Sequence, residues 1–203
     1  MKKIFVLLMT LALLTLTGCL SKDAKAKLGE TAPPPSTVVP ETPVVPAEPV
    51  ELIANGDFSA STGWTINESG NDSWGGTGGN IEVAYNTGAA VVTIVKGNST
   101  VNYEAQFYQT SPLVSGKTYT ISFEYSAVSN STFAFAIETE NGVTKYLPGE
   151  DVAASTTKQT YTKTFIAPET TEINPIAKVV FHLSSAPTNA QITIDNVSLK
   201  EHQ

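Results

Sequence analysis

Residues 118–125 read TYTISFEY. Tyr119, Ile121, Phe123 and Tyr125 fall on one side of an extended chain, and Thr120, Ser122 and Glu124 on the other. That is the period of two of a half-buried strand. The alternation returns in 133–137 (FAFAI), 177–183 (AKVVFHL) and 191–199 (QITIDNVSL). In 177–183, Val179, Phe181 and Leu183 share one face and Lys178, Val180 and His182 the other. In 191–199, Ile192, Ile194, Asn196 and Ser198 are expected on one side. Turn formers separate the runs: Ser115-Gly116-Lys117, Asn141-Gly142, Pro148-Gly149, Ala167-Pro168 and Ala186-Pro187. No long stretch has a helical period. Many short alternating strands predict an all-β fold, a two-sheet antiparallel sandwich spanning residues 51–203.

The chain ahead of this module differs in kind. It opens MKKIFVLLMTLALLTLTGC. Lys2 and Lys3 precede an uncharged apolar run, residues 4–16, of signal-peptide length and too short to span a bilayer comfortably. Leu16-Thr17-Gly18-Cys19 resembles the bacterial lipobox, in which the cysteine is lipidated and becomes the mature N-terminus. Cys19 is the single cysteine among 203 residues, so no intramolecular disulfide can form. As an acyl carrier it has a role, each buried methylene adding ~0.8 kcal/mol of membrane affinity. Residues 1–18 are read as the signal peptide and 19–50 as a lipidated N-terminus with a disordered linker. Within the linker, 31–50 read TAPPPSTVVPETPVVPAEPV and hold seven of the 12 prolines. This composition favours extended polyproline II at about 3.1 Å per residue, a stalk reaching about 60 Å from a membrane. The expected location is the bacterial cell envelope, lipid-anchored at the outer membrane or cell surface.

Charge narrows the partners. The formal net charge is −7. The module is more acidic still, because five of the 12 lysines precede residue 51, and there is no arginine. The missing fork that best grips phosphate, carboxylate and sulfate, with the acidic balance, argues against nucleic acid as a partner and weakens the case for strongly anionic glycans.

Where the stalk ends, the character of the chain changes. Residues 51–64 read ELIANGDFSASTGW, an apolar pair, a tight Asn-Gly-Asp turn and a Gly-Trp. With YEAQFYQ at 103–109, LVSGKTYTISF at 113–123 and IDNVSL at 194–199, this order of motifs resembles a carbohydrate-binding module of the family 4 and 9 type, a galactose-binding-domain-like jelly roll. The resemblance covers essentially all of 51–200. It implies a non-catalytic module that binds polysaccharide in a concave sheet, with a neutral β-glucan, xylan or similar polymer as ligand. It also implies a structural calcium tying the first strand to the last, held by Asp57, the Gly79 carbonyl and Asp195. The alternative is that Asp57 caps its own turn and Asp195 bonds nearby backbone.

Sugars stack their C–H faces on aromatic rings and present hydroxyls that need fixed donors and acceptors. Trp74, in NDSWGGTGG, has no apolar neighbours and is read first as a ligand platform, otherwise as a loop anchor. Trp64 is read as core. Tyr146 is a loop candidate, and Tyr85, ending the alternating face of Ile81 and Val83, is read first as core or rim and otherwise as a ligand candidate. Tyr103 and Tyr108 sit on opposite parities of one predicted strand, so only one can face the cleft without a bulge; Tyr108 is the candidate. Gln106 and Gln109 match the family's amide positions. Glu138 and His182 complete the candidate ligand set, with Lys178 beside His182. Where many relatives carry a sugar-contacting arginine, this chain has Ala136 or Phe135.

Catalysis is not expected. Glu138 and Glu140 share a strand face, but no nucleophile elbow or zinc-type histidine cluster occurs. The leading reading is a membrane-anchored lipoprotein that captures polysaccharide, leaving its degradation to separate glycoside hydrolases. The alternative is a structural or protein-binding envelope sandwich without a sugar site.

Overall fold

The computed structural model describes residues 48–170 and 176–202. The signal segment, Cys19 and the proline stretch up to residue 47 lie outside the described residues.

Eleven strands are described: β1 (Val50–Glu51), β2 (Thr65–Glu68), β3 (Asn80–Tyr85), β4 (Ala90–Lys96), β5 (Ala105–Ser111), β6 (Thr118–Ala127), β7 (Ser131–Thr139), β8 (Lys145–Ala154), β9 (Gln159–Ile166), β10 (Ala177–His182) and β11 (Gln191–Glu201). One sheet has the order β3-β4-β11-β6-β9, with β1 also pairing β11. The other has the order β2-β5-β10-β7-β8. All pairings are antiparallel.

The alternation at 118–125 is what joins the sheets. Tyr119, Ile121, Phe123 and Tyr125 are all buried, and the residues between them are not. Phe123 reaches across to the second sheet, its ring 4.8 Å from Phe135 and 5.0 Å from Phe181. Burying such rings face to face is the main favourable contribution to a sandwich, about 1.5–3 kcal/mol per large side chain. Trp64, 9% exposed, stacks on Phe107 at 4.9 Å and meets Phe58 at 5.2 Å, so it belongs to the core as expected. Asn55 organises the loop between them. It adopts φ 51°, its amide donates to the carbonyls of Ala60 and Thr62, and its side-chain oxygen accepts the Ala60 amide.

One expected face is corrected. Asn196 and Ser198 do not continue the side of Ile192 and Ile194; Val197 and Leu199 are buried instead. The register of β11 against β6 shifts between Asp195 and Ser198, and Asn196 takes φ 50°. This is a β-bulge, in which one extra residue resets the alternation. It forms where the Val197 amide donates to the Gly56 carbonyl at 2.9 Å. The Asn55-Gly56 turn thus reshapes the last strand.

Candidate functional site: a cleft on the second sheet

The outward side chains of β2-β5-β10-β7-β8 line up in rows across the strands, because antiparallel register sets residue against residue. One row is Asn67, Gln106, His182, Ala134 and Asp151. The next is Thr65, Tyr108, Val180 and Ala136. The third is Thr110, Lys178, Glu138 and Lys145. Two polar rows therefore flank a row of smaller polarity. Beyond the first row stand Trp74, Asn102 and Tyr103; beyond the third stands the turn of Glu140, Asn141 and Gly142. Between these walls lies a cleft of about 570 Å³.

The floor is a paired network. Lys178 Nζ donates to Gln106 Oε1 at 2.9 Å and to the Glu140 carbonyl at 3.4 Å, and lies 3.4 Å from Glu138 Oε1. It also sits 5.3 Å from the Tyr108 ring centroid, in cation–π range. Gln106 Nε2 donates one hydrogen bond to the Tyr103 carbonyl at 2.9 Å. Glu138 accepts from Lys145 and lies 3.6 Å from His182 Nε2. Burial pushes the Glu138 carboxyl up, but His182 and Lys145 outweigh burial and hold it at about 2. His182 Nδ1 is buried and makes no hydrogen bond among the described residues.

Trp74, Gln106, Glu138 and His182 are brought together in this cleft. Tyr108 faces the same side, under the Lys178 ammonium, next to the cleft lining. Three expected site residues lie elsewhere. Tyr85 is on β3 in the other sheet, packed 6.2 Å from Phe58. Tyr146 is 5% exposed and joins the core. Gln109 lies on the opposite parity from Gln106. It grips the peptide of Ala54, accepting its amide at 2.7 Å and donating to its carbonyl at 2.8 Å. Three places apart on β5, Gln106 and Gln109 fall on opposite faces of the sheet, and this removes Gln109 from the cleft. Of the two residues at the place of the relatives' arginine, Ala136 faces the cleft and Phe135 the core.

The sequence reading passed over Asn67, Asn102, Asn141 and Lys145, and set Tyr103 against Tyr108. Both tyrosines face this side because the chain at Asn102–Glu104 is a 3-10 turn, which resets the phase before β5 begins. Asn141-Gly142 was legible only as a hairpin turn.

The three residues proposed for calcium are not assembled. The Gly79 carbonyl precedes β3 and accepts the Gly70 amide at 2.8 Å. Asp57 lies by the turn after β3, its carbonyl oxygen 3.5 Å from where a Gly88 Cβ would stand. The six residues of β3, at about 3.3 Å each, separate the two. The Asp57 carboxylate accepts from the Ser59 amide and hydroxyl, and the Asp195 carboxylate lies 3.2 Å from Lys158 Nζ. Among the described residues no group of three or more His, Cys, Asp or Glu side chains could hold a metal ion. This set does not fit calcium.

The family model described as "Carbohydrate binding domain", of types 4 and 9, matches residues 50–189. A solved CBM4 structure is 27% identical, covering 73% of this chain and 99% of its own, with a TM-score of 0.63. The second N-terminal cellulose-binding domain of Cellulomonas fimi β-1,4-glucanase C is 20% identical, with coverages of 77% and 97% and a TM-score of 0.58. The first such domain is 19% identical, with coverages of 74% and 96% and a TM-score of 0.54. The last two likenesses are of fold. No curated protein matches the chain.

Proposed function

The chain belongs to the carbohydrate-binding domain family of types 4 and 9, whose modules are non-catalytic, and from that premise we propose that it holds a neutral polysaccharide of the β-glucan or xylan class in the cleft of the second sheet. The observation that carries this reading is Trp74. The residue is 41% exposed at the rim of a cleft whose floor is made of paired amides and charges. An exposed indole beside fixed donors and acceptors suits the two chemistries of a sugar. Lys145 and Lys178 balance Glu138 and Glu140 along the cleft, which suits uncharged hydroxyls. The walls stand at the two strand ends, so a polymer would run across the strands, over the edges at β2 and β8, and bind by an interior segment. Affinity per site is expected to be micromolar to millimolar, about −4 to −8 kcal/mol.

The test is affinity electrophoresis of the protein against a panel of soluble polysaccharides. Retardation by one neutral glycan class, lost in Trp74→Ala, supports the reading. A second reading, a structural or protein-binding envelope domain, is favoured by Ala136 at the place where relatives carry an arginine. A folded protein that no glycan retards selects it.

The same proposal includes display from a membrane: Cys19 carries lipid, the proline-rich segment is a stalk, and separate glycoside hydrolases act on the captured polymer. Cys19→Ala is expected to move the protein from the membrane to the soluble fraction; unchanged fractionation counts against the anchor.

A further inference from the structure

Residues 69–79, SGNDSWGGTGG, carry Trp74 to the cleft in a loop with five glycines. Its ends are closed on each other, the Gly70 amide donating to the Gly79 carbonyl at 2.8 Å and the Gly79 amide to Ser69 Oγ at 3.0 Å. Such loops are held by what fills them, and this one is filled by the carboxylate of Glu104. Its Oε1 accepts the amides of Trp74 at 2.8 Å and Gly76 at 3.1 Å, and the Ser73 hydroxyl at 3.0 Å. Its Oε2 accepts the Gly78 amide at 2.7 Å and the Ser99 hydroxyl. Three amides and the Ser99 hydroxyl converge on one fully buried carboxylate, and the Ser73 hydroxyl shares its proton between it and the Gly76 carbonyl at 2.5 Å.

The glycines follow from that closeness. A Cβ at Gly76 would lie 2.7 Å from Glu104 Oε2 and 2.3 Å from Ser99 Oγ, where no side chain fits. Burial pushes the Glu104 carboxyl up, but the Ser99 and Ser73 hydroxyls and the Gly76 and Gly78 amides prevail and hold it at about 2, so it is ionised near neutral pH. Its neighbour completes the hold: the Tyr103 hydroxyl donates to the Trp74 carbonyl at 3.3 Å. Both ends of the Trp74 residue are thus tied to Tyr103-Glu104. That pair is itself tied to the chain following β10 by the Glu104 amide donating to Ser184 Oγ at 3.0 Å. The indole is left exposed on a fixed backbone.

We propose that Glu104 is a positioning residue for sugar recognition: its buried carboxylate is the built-in anion around which the glycine-rich loop folds, and it presets Trp74 over the cleft before any ligand arrives. The inference rests on the cleft being the sugar site. A platform ordered in advance removes the entropy loss of ordering it on binding. Glutamine at this position would turn one acceptor into a donor facing other donors.

The experiment compares wild type, Trp74→Ala, Glu104→Gln and the double variant by calorimetric titration with the polysaccharide that retards wild type. It is paired with acrylamide quenching of tryptophan fluorescence without ligand. Glu104→Gln is expected to weaken binding about fivefold through lost preorganisation, and to add nothing to Trp74→Ala. It should change the quenching of the wild-type indoles and leave it unchanged in a Trp74→Phe background, where Trp64 alone reports. Ser73→Ala, which removes one donor at the loop surface, should change Trp74 quenching in the same direction and serves if Glu104→Gln does not fold. Wild-type affinity and quenching in the folded variants overturn the proposal, as does an equal affinity loss with and without Trp74, the mark of a merely structural role. If no glycan binds wild type, the sugar reading fails, and the quenching comparison still decides whether Glu104 holds Trp74.

Discussion

Lys178 Nζ reaches Gln106 Oε1 across 2.9 Å although the two residues are four places out of register: Lys178 faces Thr110 on β5, and Gln106 faces His182 on β10. The lysine therefore lies along the sheet instead of standing off it. It passes the Val180 and Tyr108 row, which accounts for the cation–π contact and for Val180 being buried on the outward side. A flexible side chain with a compact charge can make this reach. The floor of the cleft is thus tied together from within the protein.

Removing that tie has a calculable direction. Lys178→Met leaves Gln106 Oε1 without its donor and takes one cation from the buried Glu138, whose Lys145 and His182 partners remain. The expected loss is about 2 kcal/mol, less than the full effect of breaking a buried pair because Lys145 stays. Urea denaturation measures it; an unchanged midpoint refutes the network as drawn.

Acid should act through two carboxylates. Glu138 and Glu104 are both held at about 2, below the ordinary glutamate value of about 4.3. A group depressed on folding contributes stability above its unfolded pKa and loses it as pH falls through the folded one. The urea midpoint should therefore lose these contributions as pH drops from about 4.3 to about 2. Glu138→Gln should flatten that decline. A decline of the same steepness in Glu138→Gln would show that Glu138 has no part in it.

Gln109 separates holding the fold from holding the ligand. Its amide makes two hydrogen bonds to the Ala54 peptide, so Gln109→Ala should destabilise the protein by about 1–2 kcal/mol. Retardation by glycan should not change in the folded variant. Loss of retardation with unchanged stability would return Gln109 to the site.

Gly56 is the narrowest point between the first turn and the last strand. A Cβ there would stand 1.8 Å from the Val197 carbonyl oxygen, which is backbone and cannot swing away. Gly56→Ala should cost about 3 kcal/mol, the upper end for overpacking, by forcing the β11 bulge apart. A melting temperature equal to wild type would show that the turn adapts.

Much of the fold was legible from local pattern. TYTISFEY buries the residues its alternation names, and AKVVFHL sends Lys178, Val180 and His182 outward as read. Failures came where the period was broken. The bulge at Asn196 reversed the end of β11, and the 3-10 turn at Asn102–Glu104 put Tyr103 on the side of Tyr108. Both breaks arise from contacts with distant backbone or a local tightening that residue type does not announce. Tyr85, read first as core or rim, and Tyr146, left open, stay out of the cleft for another reason: a tyrosine serves a core and a rim equally well, and only its neighbours decide.

By itself the sequence determined the alternating strands at 118–125, 133–137 and 177–183 with their inward faces, the core role of Trp64 and the family. These depend on alternation, turn chemistry and motif order, which are local or collinear properties of the chain. The tertiary structure decided which polar groups meet. Glu104 enters a loop 30 residues before it, and Lys178 reaches an amide 72 residues away. Such pairs are set by strand register and loop closure, and a carboxylate in a string of letters carries no sign of which amides will surround it.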